Sequence, residues 1–315
     1  MDRVAIVQLA PAFLDRAATL SRAVAAVDEA AQGGARLVVF PEAFVPGYPA
    51  WIWRLRPGAD MALTEQLHAR LLEQAVHLGR DDLAPLREAA RSREVTVICG
   101  IDERDGEFSR DTLYNTVVVI GPDGTLLNRH RKLMPTGPER MVWGFGDASG
   151  LNVVETPCGR VGTLLCWENY LPFARAALYA QGLQILVAPT YDQGERSTAT
   201  MQHIAREGGC WVLSAGCAFR GGDIAPALPA KASALFADAD EWINAGDSVV
   251  VAPGGKIVAG PLHERCGILV AELDLERVGV ARRSLDVAGH YARPDLFQLH
   301  VNKAPARPVI FTQEE

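Results

Sequence analysis

Apolar and polar positions alternate along this chain in two periods from its first residues. Positions 4–14 are apolar after Arg3 but interrupted by Gln8 and Pro11, and no small-residue cleavage site follows. They read as a strand rather than a signal-peptide core. Leu20, Val24, Val27 and Ala31 then recur at helical spacing, with Arg22, Asp28 and Glu29 off that face, and Gly33-Gly34 closes the helix. A short apolar strand over 37–40 follows. The alternation continues with helices over 63–78 and 83–92, a strand over 95–101, and a hairpin of 116–120 with 125–132 around Gly121-Pro122-Asp123-Gly124. Residues 134–150 are rich in glycine and aromatics and carry no periodicity. A second hairpin pairs 152–156 with 160–166 across Pro157-Cys158-Gly159. Beyond it the pattern predicts a helix over 171–181, a strand over 184–188, a helix over 199–208 and a strand over 211–215. A hairpin of 249–252 with 256–259 and a strand over 268–273 complete it.

Strands interspersed with helices predict a sheet-based α/β architecture, and the hairpins exclude a purely parallel, doubly wound sheet. No linker or internal repeat interrupts the pattern, so residues 1–302 are expected to form one domain, with the Pro-rich, polar residues 303–315 as a tail. The longest uncharged run, 176–191, has 16 residues and contains Gly, Gln and Pro. That is short of the roughly 20 apolar residues a membrane helix needs. Composition adds limits. The 315 residues are 49% hydrophobic and 22% charged, ordinary for a folded globular chain. A formal net charge of -7 argues against nucleic acid or anionic membrane as the main partner. Six cysteines are too thin for a disulfide framework, which points to a reducing, cytoplasmic setting.

Three strand ends carry unlike reactive groups. The strand over 37–40 ends in Pro41-Glu42, the strand over 125–131 in Lys132, and the strand over 160–165 in Cys166, with a helix starting near Asn169. Ligands of open α/β sheets sit off strand ends, so a carboxylate, an ammonium and a thiol could meet there. Singly, each has an ordinary explanation: a buried Cys is usually a small hydrophobe, Lys132 closes the basic run Arg129-His130-Arg131-Lys132, and Glu42 could be a loop carboxylate. Together they make chemical sense. A thiol attacks as thiolate, and a cation plus helix amides are expected to lower its pKa. A carboxylate in reach can take the thiol proton and later activate water.

The motifs around these residues resemble those of the nitrilase superfamily. They are Phe40-Pro-Glu-Ala-Phe-Val-Pro-Gly-Tyr-Pro49, His130-Arg-Lys-Leu-Met-Pro-Thr136 and Cys166-Trp-Glu-Asn-Tyr-Leu-Pro172. The resemblance runs on through 138–144, 201–208 and 289–294 and so covers nearly the whole chain. It implies a four-layer α-β-β-α sandwich with mixed sheets. It also implies Glu42 as general base, Lys132 as electrostatic stabiliser, Cys166 as nucleophile and Glu139 as a second glutamate holding the site together. Cys-Trp-Glu is similar to the nitrilase branch, which implies a nitrile as substrate and, as partner, a second copy of the chain in dimer-based oligomers, in many nitrilases spirals.

On this reading Cys166 adds to the nitrile carbon to form a thioimidate, and water releases ammonia and then the acid. Amidases or carbamoylases and cyanide-converting members of the same superfamily are the alternatives, and a non-catalytic assembly protein is a more distant one. No metal or cofactor is expected. Cys-x-x-Cys and His-Glu-x-x-His are missing from the sequence, Gly254-Gly255-Lys256 lacks the rest of a phosphate loop, and Gly144-x-Gly146 follows no βαβ strand. Aromatics cluster near the three reactive positions (Tyr48, Trp51, Trp53, Trp143, Trp167 and Tyr170 among them), which predicts an apolar pocket with Tyr48 and Trp167 contacting substrate. Ser197 stands where many nitrilases carry Trp and is expected to alter substrate range.

Overall fold

The structure is a computed structural model and describes residues 1–310 and Thr312. Among the described residues, thirteen strands form two mixed sheets. The first contains β1 (Asp2–Gln8), β2 (Leu37–Val39), β3 (Thr96–Arg104), β4 (Leu113–Ile120) and β5 (Leu126–Arg131), closed on its other edge by β13 (Gly267–Leu273). The second contains β6 (Val153–Thr156), β7 (Gly159–Thr163), β8 (Ile185–Thr190), β9 (Trp211–Gly216), β10 (Ala218–Arg220) and β11 (Trp242–Val251), with β12 (Ile257–His263) paired to β11. Each sheet has a parallel centre, β1-β2-β3 in one and β7-β8-β9 in the other, flanked by antiparallel strands. That is why crossover helices and hairpins coexist in the sequence.

Three apolar layers follow from the period of two along each strand. Val4 and Ile6 of β1, Leu37 and Val39 of β2, and Val117 and Val119 of β4 face the second sheet, where Ile185, Val187, Trp211 and Leu213 meet them. The alternate residues Ala5, Val7, Val38 and Val97 face the helices α1 (Arg16–Gln32) and α3 (Ala84–Arg93). On the far side Leu186, Ala188 and Val212 pack against α4 (Pro172–Tyr179) and α5 (Gly194–Glu207). The molecule is therefore the expected α-β-β-α sandwich.

Local expectations shift in informative ways. The buried face of α1 is Leu20, Ala23, Ala26, Val27 and Ala30, while Val24 and Ala31 are only half-buried. Three alanines let the helix lie close to the sheet, so the stripe is broader and rotated relative to the bulky residues that announce it. The expected helix over 63–78 is α2 (Met61–Gln74) followed by a separate turn at Leu78–Arg80. The region between β10 and β11, unassigned in the sequence, forms short helical turns whose Ile224, Ala232 and Phe236 pack with Trp51, Trp143 and Phe219 in an aromatic-rich core beside the strand ends. Of the expected tail over 303–315, Phe311 and residues 313–315 lie outside the described residues. Earlier in it, Lys303 donates to the Asn152 amide oxygen and the Ala306 amide to Asp147 at 2.8 Å.

Candidate active site

The C-terminal ends of β2, β5, β7 and β8 converge, and the chain turns sharply at each. After β2 the segment Pro41–Ala43 loops away from the sheet, with Ala43 at φ +47°, before Val45 rejoins β3. Gly100 on β3 makes this possible: a Cβ there would lie 2.2 Å from the Pro41 carbonyl and 2.6 Å from the Ala43 nitrogen. The loop points Glu42 inward. Gly146 plays the matching part at β5, where any Cβ would strike the Arg131 carbonyl at 2.2 Å, so the aperiodic loop can cross the strand end at Lys132.

At the centre the Lys132 ammonium is fully buried between two carboxylates, donating to Glu42 Oε1 at 2.7 Å and to Glu139 Oε2 at 2.8 Å. Glu42 is held at both oxygens. Asn115 Nδ2 donates to Oε1 at 2.7 Å and the Tyr191 amide to Oε2 at 2.7 Å. Glu139 sits in the turn Gly137–Met141 and accepts from the Thr136 amide at 2.7 Å and from the Tyr48 hydroxyl at 2.7 Å. Burial pushes the Glu42 carboxyl above its ordinary range; Lys132 opposes this and Glu139 adds to it. Burial alone would strip the proton from Lys132, but the Glu42 and Glu139 carboxylates outweigh it and keep the ammonium charged.

Cys166 does not sit at the end of a strand. β7 stops at Thr163, and Cys166 opens a short 3-10 turn, Cys166–Tyr170, with φ +50°. A non-glycine residue in that region is strained and persists only where its surroundings hold it. Glu168 is the main holder. Its carboxylate accepts from the Leu165 amide at 2.7 Å and the Leu133 amide at 2.5 Å and pairs with His130 Nε2 at 3.1 Å, all within the interior. One side chain thus ties the residue before Cys166 to the residue after Lys132. Although burial raises the Glu168 carboxyl, His130 and the two amides more than offset it and hold it below its ordinary range. Asn169 Nδ2 adds a bond to the Cys166 carbonyl at 2.8 Å. Glu168→Gln leaves one of the two amides facing a second donor, so it is expected to cost about 1–3 kcal/mol in urea unfolding. It should also lower kcat by displacing Cys166 from Lys132, and unchanged stability and turnover together would remove this clamp.

The sequence predicts a lowered thiol pKa, and the structure reverses that. Burial pushes the Cys166 thiol up to about 12, Glu42 adds to the rise, and Lys132 only partly opposes it. Desolvation acts on every buried anion, whereas one cation shared by two carboxylates has little attraction left for a third. Burial thus favours the neutral thiol over the thiolate at rest.

These groups open onto a cleft of about 370 Å³ lined by Tyr48, Trp53, Pro138, Glu139, Cys166, Trp167 and Tyr191. Tyr48 is buried, with its ring stacked on Tyr191 at 3.9 Å, and Trp53 Nε1 donates to its hydroxyl at 3.1 Å. Trp167 is half exposed at the rim, edge-on to Tyr170. Ser197 lies apart from these, buried at 4% exposure on the sheet-facing side of α5 and not among the residues lining the cleft. Four of the other cysteines are buried packing residues and Cys266 is exposed, but Cys217 borders the site, its thiol donating to the Glu42 carbonyl at 3.4 Å. Asn115, the Tyr191 amide and Glu168 were not singled out from the sequence. Asn115 lies mid-strand with no neighbouring signal, and a backbone amide has none at all.

Comparison with known proteins shows the family and the fold. The carbon-nitrogen hydrolase family profile matches residues 3–283. A bifunctional nitrilase/nitrile hydratase of Lupinus angustifolius is 40% identical over 98% of this chain and 88% of its own length. An aliphatic nitrilase of Sinorhizobium fredii is 40% identical over 98% of both chains. Among solved structures, Nit3 of Saccharomyces cerevisiae, of the nitrilase superfamily, superposes with a TM-score of 0.68 at 22% identity over 92% of this chain and 96% of its own. The amidase of Nesterenkonia sp. AN1 gives 0.66 at 21% over 90% and 98%. Both share the fold. From motif order to sandwich to full-length similarity the lines converge, and this chain is an enzyme of the carbon-nitrogen hydrolase family.

Proposed function

We propose that this enzyme hydrolyses organic nitriles to the carboxylic acid and ammonia, with Cys166 as nucleophile, Glu42 as general base and Lys132 as electrostatic stabiliser. The observation that carries the reading is the buried Lys132 ammonium bridging Glu42 and Glu139, with Glu139 lining the same cleft as Cys166. The nitrilases 40% identical over 98% of the chain favour a nitrile over an amide as substrate.

The neutral thiol shapes the first step. Cys166 sulfur bonds to the nitrile carbon as Glu42 takes the thiol proton and passes it to the nitrile nitrogen, giving a neutral thioimidate. Proton transfer concerted with attack avoids a free thiolate next to two carboxylates. Lys132 and the amide following Cys166 oppose the charge that grows on nitrogen. Glu42 then activates water, which adds to the thioimidate carbon; carbon–nitrogen cleavage expels ammonia and leaves a thioester. A second water, activated the same way, releases the acid and restores the thiol. Loss of sulfur in place of nitrogen at the tetrahedral stage would yield the amide. Glu139 is a positioning residue, since it fixes Lys132 through Oε2 and is itself fixed by Tyr48 and Thr136.

The test is ammonia release from nitriles, hydrogen cyanide included, and from the matched amides. Higher kcat/KM on nitriles is expected; faster turnover of the amides would replace this reading with an amidase one.

A further inference from the structure

The cleft over Cys166 does not end at Trp53. A second cavity of about 380 Å³ lies behind that residue, lined by Ile52, Leu55, Pro57, Thr64 and Met141 with Arg56 at its edge. The two cavities share Trp53, Gly137 and Pro138 and so meet at one wall. Gly137 borders open space at that wall: a Cβ built on it would meet no atom within 4 Å.

Trp53, 44% exposed, forms one side of the boundary and leaves the other to Gly137 and Pro138. Its indole nitrogen donates to the Tyr48 hydroxyl at 3.1 Å, and its ring lies within 3° of parallel to Tyr191 at 6.5 Å between centroids. Tyr48 in turn is bound to Glu139, so this side of the boundary is built on the same hydrogen-bond chain as Lys132. The outer cavity is chemically unlike the inner one. Its walls are mainly aliphatic, and its one charged group, Arg56, is already paired with Asp60 through two side-chain bonds of 3.1 Å. No free charge is offered to a substrate there, and apolar surface is what such a chamber recognises.

We infer that the two cavities form one substrate site, with the nitrile carbon at Cys166 and an extended, uncharged apolar substituent running past Trp53 into the outer chamber. The substrate class is nitriles whose apolar tail extends from Cys166 past Trp53, of which 4-phenylbutyronitrile is a suitable probe. This assignment rests on the nitrile reading of the inner site and adds the tail specificity to it.

The experiment compares kcat/KM for 4-phenylbutyronitrile and propionitrile in the unaltered enzyme and in Met141→Trp, which fills the outer chamber. Leu55→Trp serves as the second variant if the first does not fold. The long substrate is expected to be preferred about tenfold or more, and the filled chamber should erase most of that preference through KM rather than kcat. Equal kcat/KM for the two nitriles, or a preference that survives both filling variants, overturns the outer chamber. If no nitrile releases ammonia, 4-phenylbutyramide and propionamide are run in the same way. A tail preference there, lost on filling, keeps the chamber and discards the nitrile. If neither series turns over, calorimetric binding of 4-phenylbutyronitrile to Cys166→Ala decides. Binding weakened by Met141→Trp supports the chamber, and no binding refutes it.

Discussion

Cys166→Ala is expected to lower nitrile turnover by about four orders of magnitude or more while leaving the fold intact. The magnitude follows from loss of the nucleophile in the proposed mechanism; nucleophile deletions in hydrolases that work through an acyl-enzyme cost on that scale. Folding should survive for a structural reason. The positive φ at Cys166 is imposed by Glu168 and Asn169, whose bonds run to backbone atoms and not to the thiol. Ammonia release measures the loss, and intact-protein mass spectrometry of a quenched reaction supplies the complement. The unaltered enzyme should carry a thioimidate or thioester mass that the variant lacks. Full turnover by the variant would refute the mechanism.

Glu42→Gln is expected to reduce kcat by about 10²–10⁴-fold, the range for loss of a positioned general base. The side chain is nearly isosteric and an amide oxygen can still accept from Lys132 and Asn115, but its NH2 then faces the Tyr191 amide, so some stability is lost along with the basicity. The pH profile separates the two. Burial raises the Glu42 carboxyl, with Lys132 opposing, so the base is protonated and inactive below an elevated pKa and competent above it. Activity should therefore fall on acidification at a pH above the ordinary carboxylate range, and that acid limb should vanish from the residual rate of the variant. At the other end, the Cys166 thiol is pushed up to about 12 by burial and by Glu42. Because Glu42 takes the proton from the neutral thiol during attack in the proposed step, the rate should show no tenfold climb from about pH 7 to about pH 9, whereas reaction through a free thiolate would climb across that window. An unchanged acid limb in Glu42→Gln would assign that limb to another group.

The expectations that held and those that did not divide by the range of the interactions behind them. The strand–helix order, both inner hairpins and the two-faced strands were legible because the periods of 2 and 3.6 are properties of neighbouring residues. The boundary of α5 was not. It begins at Gly194, five residues before the expected start at 199, because its first turn is anchored by a distant strand: Asp247 of β11 accepts from the Gly194 amide at 2.8 Å. Ser197 illustrates the same limit, since its place in the motif does not tell which face of α5 it occupies.

The sequence by itself determined which reactive groups this protein carries, the order of its strands and helices, and the family to which the chain belongs. Tertiary structure decided their chemistry. Segments far apart in the chain brought Asn115 and the Tyr191 amide onto Glu42 and placed Glu168 between the Lys132 and Cys166 backbones. It also decided the sign of the thiol's shift. Desolvation and the sharing of one cation between two carboxylates depend on everything packed around the sulfur, and no local pattern encodes that sum.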